Sequence, residues 1–359
     1  MRRSLSSGPG SSLYRSSEDH GSCVDPVRGD TVPAGSVTRV CALVVTRNRR
    51  ALLAECLQAL AGQTHPVSGV IAFDNASSDG TGDWLATADV MQSPRWRSVR
   101  SEINTGGAGG YAEVLALGCQ TDADWLWLMD DDAEPRLDAL ARLLASPPAD
   151  DGATVALCTA VAHRDGSIDP LHRCRLRQFI TPLGAEAYSP GTYARVDCAS
   201  FVGLLIRRDA ARAVGPPRRE FFLGYDDAEY SLRLAALGDV RLVPESVITH
   251  KIAVGGGEVT GRSIRWNRLL GAHYTSSPWK SYWKDLYRVR NFVALRSEHG
   301  RLSRPRLAIL ILGYLVKSLL YDRRPLRRLP WIVRFAWRGR RGDFRAPSPE
   351  QWGRYARSG

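Results

Sequence analysis

The chain has 359 residues, enough to bury a full core and to hold one large domain or two. Its formal net charge of +12 is unevenly placed: residues 301–359 hold fifteen Lys and Arg against three Asp and Glu, while the other 300 residues hold 34 of each sign. This excludes a globally basic nucleic-acid binder and leaves one localised basic surface. The seven cysteines are odd in number, scattered and without a C-x-x-C pair, so they read as reduced, buried thiols of a cytosolic protein rather than disulfides or zinc ligands.

Residues 1–35 are rich in Ser, Gly, Arg and Asp, which predicts a disordered tail, and no continuous apolar run follows Met1 to suggest a cleaved signal. Residues 37–46 predict a buried strand, and 49–61 a helix spaced by Leu52, Leu53, Cys56, Leu57 and Leu60. A second strand is predicted over 67–74, then a turn-forming cluster at 75–81 and a short helix near 82–88. Residues 97–101 predict a third strand. Asn104-Thr-Gly-Gly-Ala-Gly-Gly110 is a glycine loop opening a helix through Gly118. The apolar strand at 125–129 then runs straight into Asp130, Asp131 and Asp132.

This alternation predicts an α/β fold with a mostly parallel, doubly wound sheet, in which ligands bind beyond the carboxyl ends of the strands. Thr46-Arg47, Asp74-Asn75, Asn104 to Gly110 and Asp130 to Asp132 all fall at such ends. The second half is less regular. Residues 196–207 read as a core strand or a strand-turn-strand. Asp226, Asp227 and Glu229 open a helix through Leu237, and a strand over 240–249 ends at His250.

Three adjacent carboxylates repel one another, and oxygen-rich sites suit Mg²⁺ or Mn²⁺, ions that hold nucleotide phosphates; a solvated acidic turn is the alternative. The glycines at 106, 107, 109 and 110 let backbone approach an anion, although the spacing is neither G-x-G-x-x-G nor a Walker loop. Asp74 and Asn75 either read a base or ribose or belong to a helix-capping turn. Asp226 and Asp227 raise each other's pKa, which suits a general base. Alternatively, the cluster marks a helix N-terminus, with Glu229 pairing to Arg233 at i+4. His250 is either a metal ligand or a polar strand end.

These motifs, in this order, resemble the inverting nucleotide-sugar glycosyltransferases of family two, which have the GT-A fold. The residues are Val44-Val-Thr-Arg-Asn-Arg49, Asp74-Asn75 through Thr81, Asn104-Thr-Gly-Gly107, Asp130-Asp-Asp132 and Tyr225-Asp-Asp-Ala-Glu229. The glycine loop and triple Asp are similar to bacterial galactofuranosyltransferases and their rhamnosyltransferase relatives. The resemblance spans about residues 38–255. It implies that Thr46, Arg47, Asp74 and Asn75 contact the uridine, with Asn104, Gly106 and Gly107 on the nucleotide's other face. Asp130, Asp132 and His250 would hold Mn²⁺ or Mg²⁺ and Asp131 the donor. Asp227 would be the base, with Asp226 and Glu229 positioning acceptor or donor, in a single in-line displacement at the anomeric carbon. There is no Q-x-x-R-W motif, because Arg262-Ser-Ile-Arg265-Trp266 lacks the Gln, and no flanking spans as in cellulose or hyaluronan synthases.

The implied domains are a tail at 1–35, a GT-A domain at 36–260 and a basic, aromatic-rich helical extension at 261–359. Residues 279–295 have helical spacing, and 307–320 are apolar but shorter than the roughly 20 residues that a bilayer needs. The arginines after residue 320, interleaved with Trp331 and Trp337, suit a helix lying in an anionic membrane interface; a core-packing helix with a basic exterior is the alternative. The expectation is a cytoplasmic, peripheral membrane enzyme that moves galactofuranose from its UDP donor to a polyprenyl-linked or polysaccharide acceptor of the cell envelope. A dTDP-rhamnose donor is the alternative, and a non-catalytic membrane- or RNA-docking scaffold is the alternative of another class. Nucleic acid is not an expected partner.

Overall fold

The computed structural model describes residues 37–177, 179–251, 258–271, 274–300, 303–346 and 351–352. The tail expected over 1–35 and the glycines at 255–257 lie outside these residues.

The first half alternates strands β1 (Val40–Thr46), β2 (Gly69–Asp74), β3 (Trp96–Arg100) and β4 (Trp125–Asp130) with helices α1 (Arg50–Ala61), α2 (Thr81–Thr87) and α3 (Gly106–Gly118). The second half contributes β5 (Ala133–Pro135), α4 (Ala139–Leu144), α5 (Pro147–Asp150), β6 (Thr154–Ala162), β7 (Arg173–Leu176), β8 (Ile180–Pro182), β9 (Cys198–Ala199) and β10 (Leu204–Arg207). It continues through α6 (Arg208–Val214), α7 (Asp226–Leu237), β11 (Asp239–His250), α8 (Gly261–Leu270), α9 (Trp283–His299), α10 (Arg304–Tyr321) and α11 (Pro325–Arg340).

The main sheet has the order β3-β2-β1-β4-β10-β6-β11-β5. It is mostly parallel: β10 runs against β4 and β6, and β5 against β11. Side chains alternate between the faces of a strand. Val40, Ala42 and Val44 of β1 therefore join Leu53, Leu57 and Leu60 of α1 on one face, and Cys41 and Leu43 join Tyr111, Val114 and Leu115 of α3 on the other. Burying each such Leu is worth about 1.5–3 kcal/mol. Both faces are covered, which is why these strands read as continuous apolar runs.

One strand went beyond the sequence reading, and one segment decided between two alternatives that it left open. β6, buried along all nine residues, is a central strand that the sequence did not announce. Residues 196–207 resolve into strand-turn-strand: β9 joins a small sheet of order β8-β7-β9, the chain turns at Gly203 (φ 71°), and β10 enters the main sheet. A Cβ at Gly203 would lie 2.3 Å from Thr159 Oγ1, so only glycine fits that turn.

Candidate active site

The ends of β1 and β2 are tied to each other. Asn48, with φ 55°, accepts a hydrogen bond from the Ser78 amide (2.7 Å), and its own amide donates to Ser77 Oγ (2.9 Å). Asp74 Oδ1 accepts from the Ser77 amide at 2.9 Å, while Arg100 Nε lies 3.6 Å from Oδ2. Oδ2 is buried beside Arg100 and has no aligned hydrogen-bond donor. The Asn75 amide ties β2 to the glycine loop: Oδ1 accepts from the Thr105 amide (2.9 Å) and hydroxyl (3.0 Å), and Nδ2 donates to Gly106 O (2.8 Å). Asn104 Oδ1 accepts from the Gly106 amide at 3.0 Å. Gly106 has φ 72°, and a Cβ there would fall 2.1 Å from Phe222 O, so the loop lies against the segment leading into α7.

Within the triplet each carboxylate has a different environment. Asp131 accepts from Thr46 Oγ1 (2.8 Å), the Arg47 amide (3.4 Å) and Arg49 (3.1 Å), so Thr46 and Asp131 are occupied in bracing β1 against β4. Their side chains, expected at the nucleotide, are committed to the protein; the Arg47 side chain remains exposed. Arg49 also reaches Asp132 Oδ2 at 2.9 Å. Tyr111, on α3, donates its hydroxyl to Asp130.

Pairing of β5 with β11 sets His250 opposite Ala133, which carries an imidazole from far along the chain to the triplet. His250 Nε2 lies 3.1 Å from Asp132 Oδ1, yet that oxygen has no aligned hydrogen-bond donor. Ligand atoms of Asp130, Asp132 and His250 all lie within 4.8 Å of one another. Two hard oxygens, one imidazole and a buried oxygen without a donor fit a divalent cation. Behind them, His172 meets the His250 ring edge-on, with centroids 5.1 Å apart, and is anchored by Ser200 Oγ at 2.7 Å.

Electrostatics set these groups apart. Burial, then the charge of Asp132, raises Asp130 to about 6. Burial opposes the charge on Asp132, but His250 and Arg49 hold it below the ordinary carboxylate range. Asp226 is raised to about 8, first by burial and then by Asp227, with Asp130 contributing. A Cβ on Gly107 would lie 3.9 Å from Asp226 Oδ2. The start of α7 therefore faces both the glycine loop and the end of β4. Burial also raises Asp227, but the Ala228 amide 2.7 Å away and the guanidiniums of Arg173 and Arg288 draw it back. Asp227 is the more exposed of the two carboxyls. Glu229, expected to position a substrate, is instead held in a fork by Arg233 at 2.9 and 3.0 Å, which is the i+4 pairing of the alternative reading.

A stability test follows from Asp226. Between the ordinary carboxyl pKa and about 8, the folded chain keeps a proton that the unfolded chain has released, so stability falls as pH rises through this window. A pKa difference of one is worth about 1.4 kcal/mol. The metal-free melting temperature is expected to fall from pH 5 to pH 8, and Asp226→Asn to remove most of the fall above pH 6. An unchanged slope in the variant would contradict the burial of this proton.

The loop before α7 carries three left-handed residues, Phe222 (φ 62°), Gly224 (φ 83°) and Tyr225 (φ 62°). It is clamped from α9, by the Tyr287 to Asn291 segment that the family resemblance packs near the acceptor side. Asn291 Nδ2 donates to Phe221 O (2.9 Å), Leu223 O (3.1 Å) and Gly224 O (2.8 Å). The fully buried Arg290 donates to Phe221 O (3.0 Å), Glu220 O (3.2 Å) and Phe344 O (2.6 Å), with its guanidinium 4.4 Å from the Tyr287 ring centroid. The Tyr287-Arg-Val-Arg-Asn291 stretch thus sets the loop that presents Asp226 and Asp227.

The family model for glycosyl transferase family 2 matches residues 41–215. Galactofuranosyltransferase GlfT1 of Mycolicibacterium smegmatis is 34% identical over 209 residues, which cover 55% of this chain and 66% of that protein. Its counterpart in Mycobacterium tuberculosis is 33% identical, covering 55% and 65%. The match therefore spans just under two thirds of these relatives' own length. Among solved structures, GalNAc-T7 with UDP, GalNAc and Mn²⁺ aligns over 80% of this chain and 58% of that one, with a TM-score of 0.51 and 14% identity, a likeness of fold alone. Residues 41–215, which bear Asp74, Asn75, the glycine loop and the aspartate triplet, form a glycosyl transferase family 2 domain.

Proposed function

We propose that this protein is a metal-dependent, inverting galactofuranosyltransferase that uses UDP-galactofuranose and glycosylates a hydroxyl of a lipid-linked or polysaccharide acceptor in cell-envelope glycan synthesis. The observation that carries this reading is the convergence of Asp130, Asp132 and His250 with the carboxyl pair at the start of α7. The galactofuranosyl donor is favoured over dTDP-rhamnose by the names of the relatives.

Mn²⁺ or Mg²⁺, held by Asp130, Asp132 and His250, would offset negative charge on the departing diphosphate. Asp74 Oδ2, ion-paired with Arg100 but without an aligned hydrogen-bond donor, would accept from the donor's base or ribose. Backbone at Gly106 and Gly107, where α3 begins, admits the donor closely. Asp226, protonated near neutrality, donates a hydrogen bond to the donor's sugar. Asp227, partly exposed and beside two guanidiniums, takes the acceptor hydroxyl proton onto its carboxylate as the new glycosidic bond forms. A single displacement of this kind inverts the anomeric carbon. A scaffold would have no use for an acid buried beside a second carboxylate at a cost in stability.

Among the described residues, no helix is long and apolar enough to cross a membrane. The exposed Ile309, Leu312 and Val316 of α10 and Leu326, Val333 and Trp337 of α11, amid arginines, support a peripheral seat on the anionic inner face of the cell membrane. The enzyme reading is tested by UDP release in the presence of acceptor. Complete chelation is expected to lower turnover at least about a hundredfold, with recovery on adding Mn²⁺. Undiminished turnover would contradict the cation site.

A further inference from the structure

Arg173, the first residue of β7, is fully buried and meets only neutral oxygens. Its Nε donates to Thr159 O (2.8 Å) and its Nη1 to His172 O (2.8 Å) and Ser200 Oγ (3.2 Å). Nη2 donates to Val202 O (2.5 Å), with Thr159 Oγ1 at 3.4 Å. Two residues on, Arg175 pairs with Asp197 at 3.1 Å, whereas Arg173 pairs with no acid among the described residues. A guanidinium keeps its charge wherever the chain places it, and a buried charge without a countercharge is costly. Carbonyls need a donor rather than a charge. The hydrogen bonds therefore account for the side chain's pose and leave its charge unexplained.

Strand register places that charge close to the start of α7. Across β7 and β9, Arg173 lies opposite Ala199 and Cys174 opposite Cys198. Ser231 of α7 donates to Ala199 O (2.8 Å) and accepts from the Ala199 amide (3.2 Å), which seats the helix on β9. Cys174 and Cys198 pack with Ala228, the residue after Asp227. Side chains alternate along a strand, so Cys174 faces α7 while Arg173 points to β6.

The other groups around Asp227 supply no comparable charge. Asp226, its neighbour on α7, is an acid that burial keeps protonated near neutrality. Cys174 of β7 and Cys198 of β9 are thiols that burial, and then the Asp227 charge, hold above their ordinary range. Tyr225, just before α7, is a phenol that burial also holds up. Arg288 of α9 has a side chain 45% exposed and shares its charge with Asp285 at 3.5 Å, so water and a near acid both weaken its reach.

We infer that Arg173 is a positioning residue for the transfer step: its buried charge, matched by no acid on the strands that hold it, keeps the Asp227 carboxylate ready to accept a proton. This rests on the transferase reading only in making Asp227 the base; the link between the two side chains needs neither donor nor metal. The test pairs R173Q, which keeps donors and loses the charge, with R173K, which keeps the charge and loses the fork. One readout is the pH profile of kcat/KM for sugar transfer. The other is the ¹³C NMR titration of the Asp227 carboxyl in the full chain without Mn²⁺, assigned with D227N. Removing a nearby positive charge disfavours a carboxylate, so R173Q is expected to move the acid limb and the carboxyl titration upward by about half a pH unit or more. R173K should move them by no more than about a third as much. Both variants lose bonds and so melt earlier; a purely structural arginine would lower stability and leave both titrations in place. Equal shifts in the two variants, or none in folded R173Q, would overturn the inference. Should R173Q fail to fold, R288Q decides. An Asp227 titration that stays within about 0.2 pH units in R288Q supports Arg173, and a rise of about half a unit gives the role to Arg288 and overturns it. A carboxyl titration that moves in R173Q while kcat/KM keeps its profile would contradict Asp227 as the base and leave the link to Arg173 standing.

Discussion

Asp227→Asn is expected to lower the turnover of sugar transfer about 10²–10⁴-fold, the usual contribution of a positioned general base. The amide nearly preserves volume and can still accept from the Ala228 amide, so α7 keeps its start. It cannot take a proton. Donor affinity in the presence of Mn²⁺ should change by no more than about twofold, because the loss falls on the chemical step rather than on ground-state binding. Single-turnover kinetics separate the two. A variant that transfers sugar normally would remove Asp227 from the role of base, and Asp226→Asn would then be the next variant to assay.

Asn291→Ala should be damaging although no substrate touches it. One amide nitrogen, with two N–H groups, lies at hydrogen-bond distance from the carbonyls of Phe221, Leu223 and Gly224, inside a loop with two aromatic residues at positive φ. Truncation leaves buried carbonyls short of donors and frees a strained segment, at a cost of about 2–4 kcal/mol. Urea unfolding reads that cost. A purely structural role would lower stability and nothing else. A positioning role also lowers kcat by tenfold or more, with little change in donor KM, because the loop carries the base and not the β1 and β2 strand ends. An unchanged kcat in folded variant protein would refute the positioning role.

The parallel half of the sheet was legible because its strands alternate with helices and end in polar residues, a pattern that topology dictates. The positions of Asp74, Asn75, the glycine loop and Asp130 to Asp132 at strand ends and at a helix start were read in this way. β6 was not, because Thr-Val-Ala-Leu-Cys-Thr-Ala-Val-Ala has no period to separate a buried strand from a buried helix. His250 could be seen to end a strand, but its partner β5 is three residues long, too short to register in sequence. Arg49 and Tyr111 were hidden for different reasons. An arginine in a turn reads as solvated, and a tyrosine on the buried face of a helix reads as core; only the fold shows that both reach the triplet. Glu229 had two readings, and the nearer partner won: Arg233, one helical turn away, takes both oxygens. Arg290 shows the limit of composition most clearly, since nothing in the spacing of Arg288, Arg290 and Arg296 along α9 says which guanidinium is fully buried.

The central claim is that one cation links the end of β4 to the end of β11 within reach of the start of α7. Anomalous scattering from crystals grown with Mn²⁺ and UDP tests it most directly. The account predicts a manganese peak bounded by Asp130, Asp132 and His250. Manganese bound elsewhere, or none there with UDP in place, would contradict it.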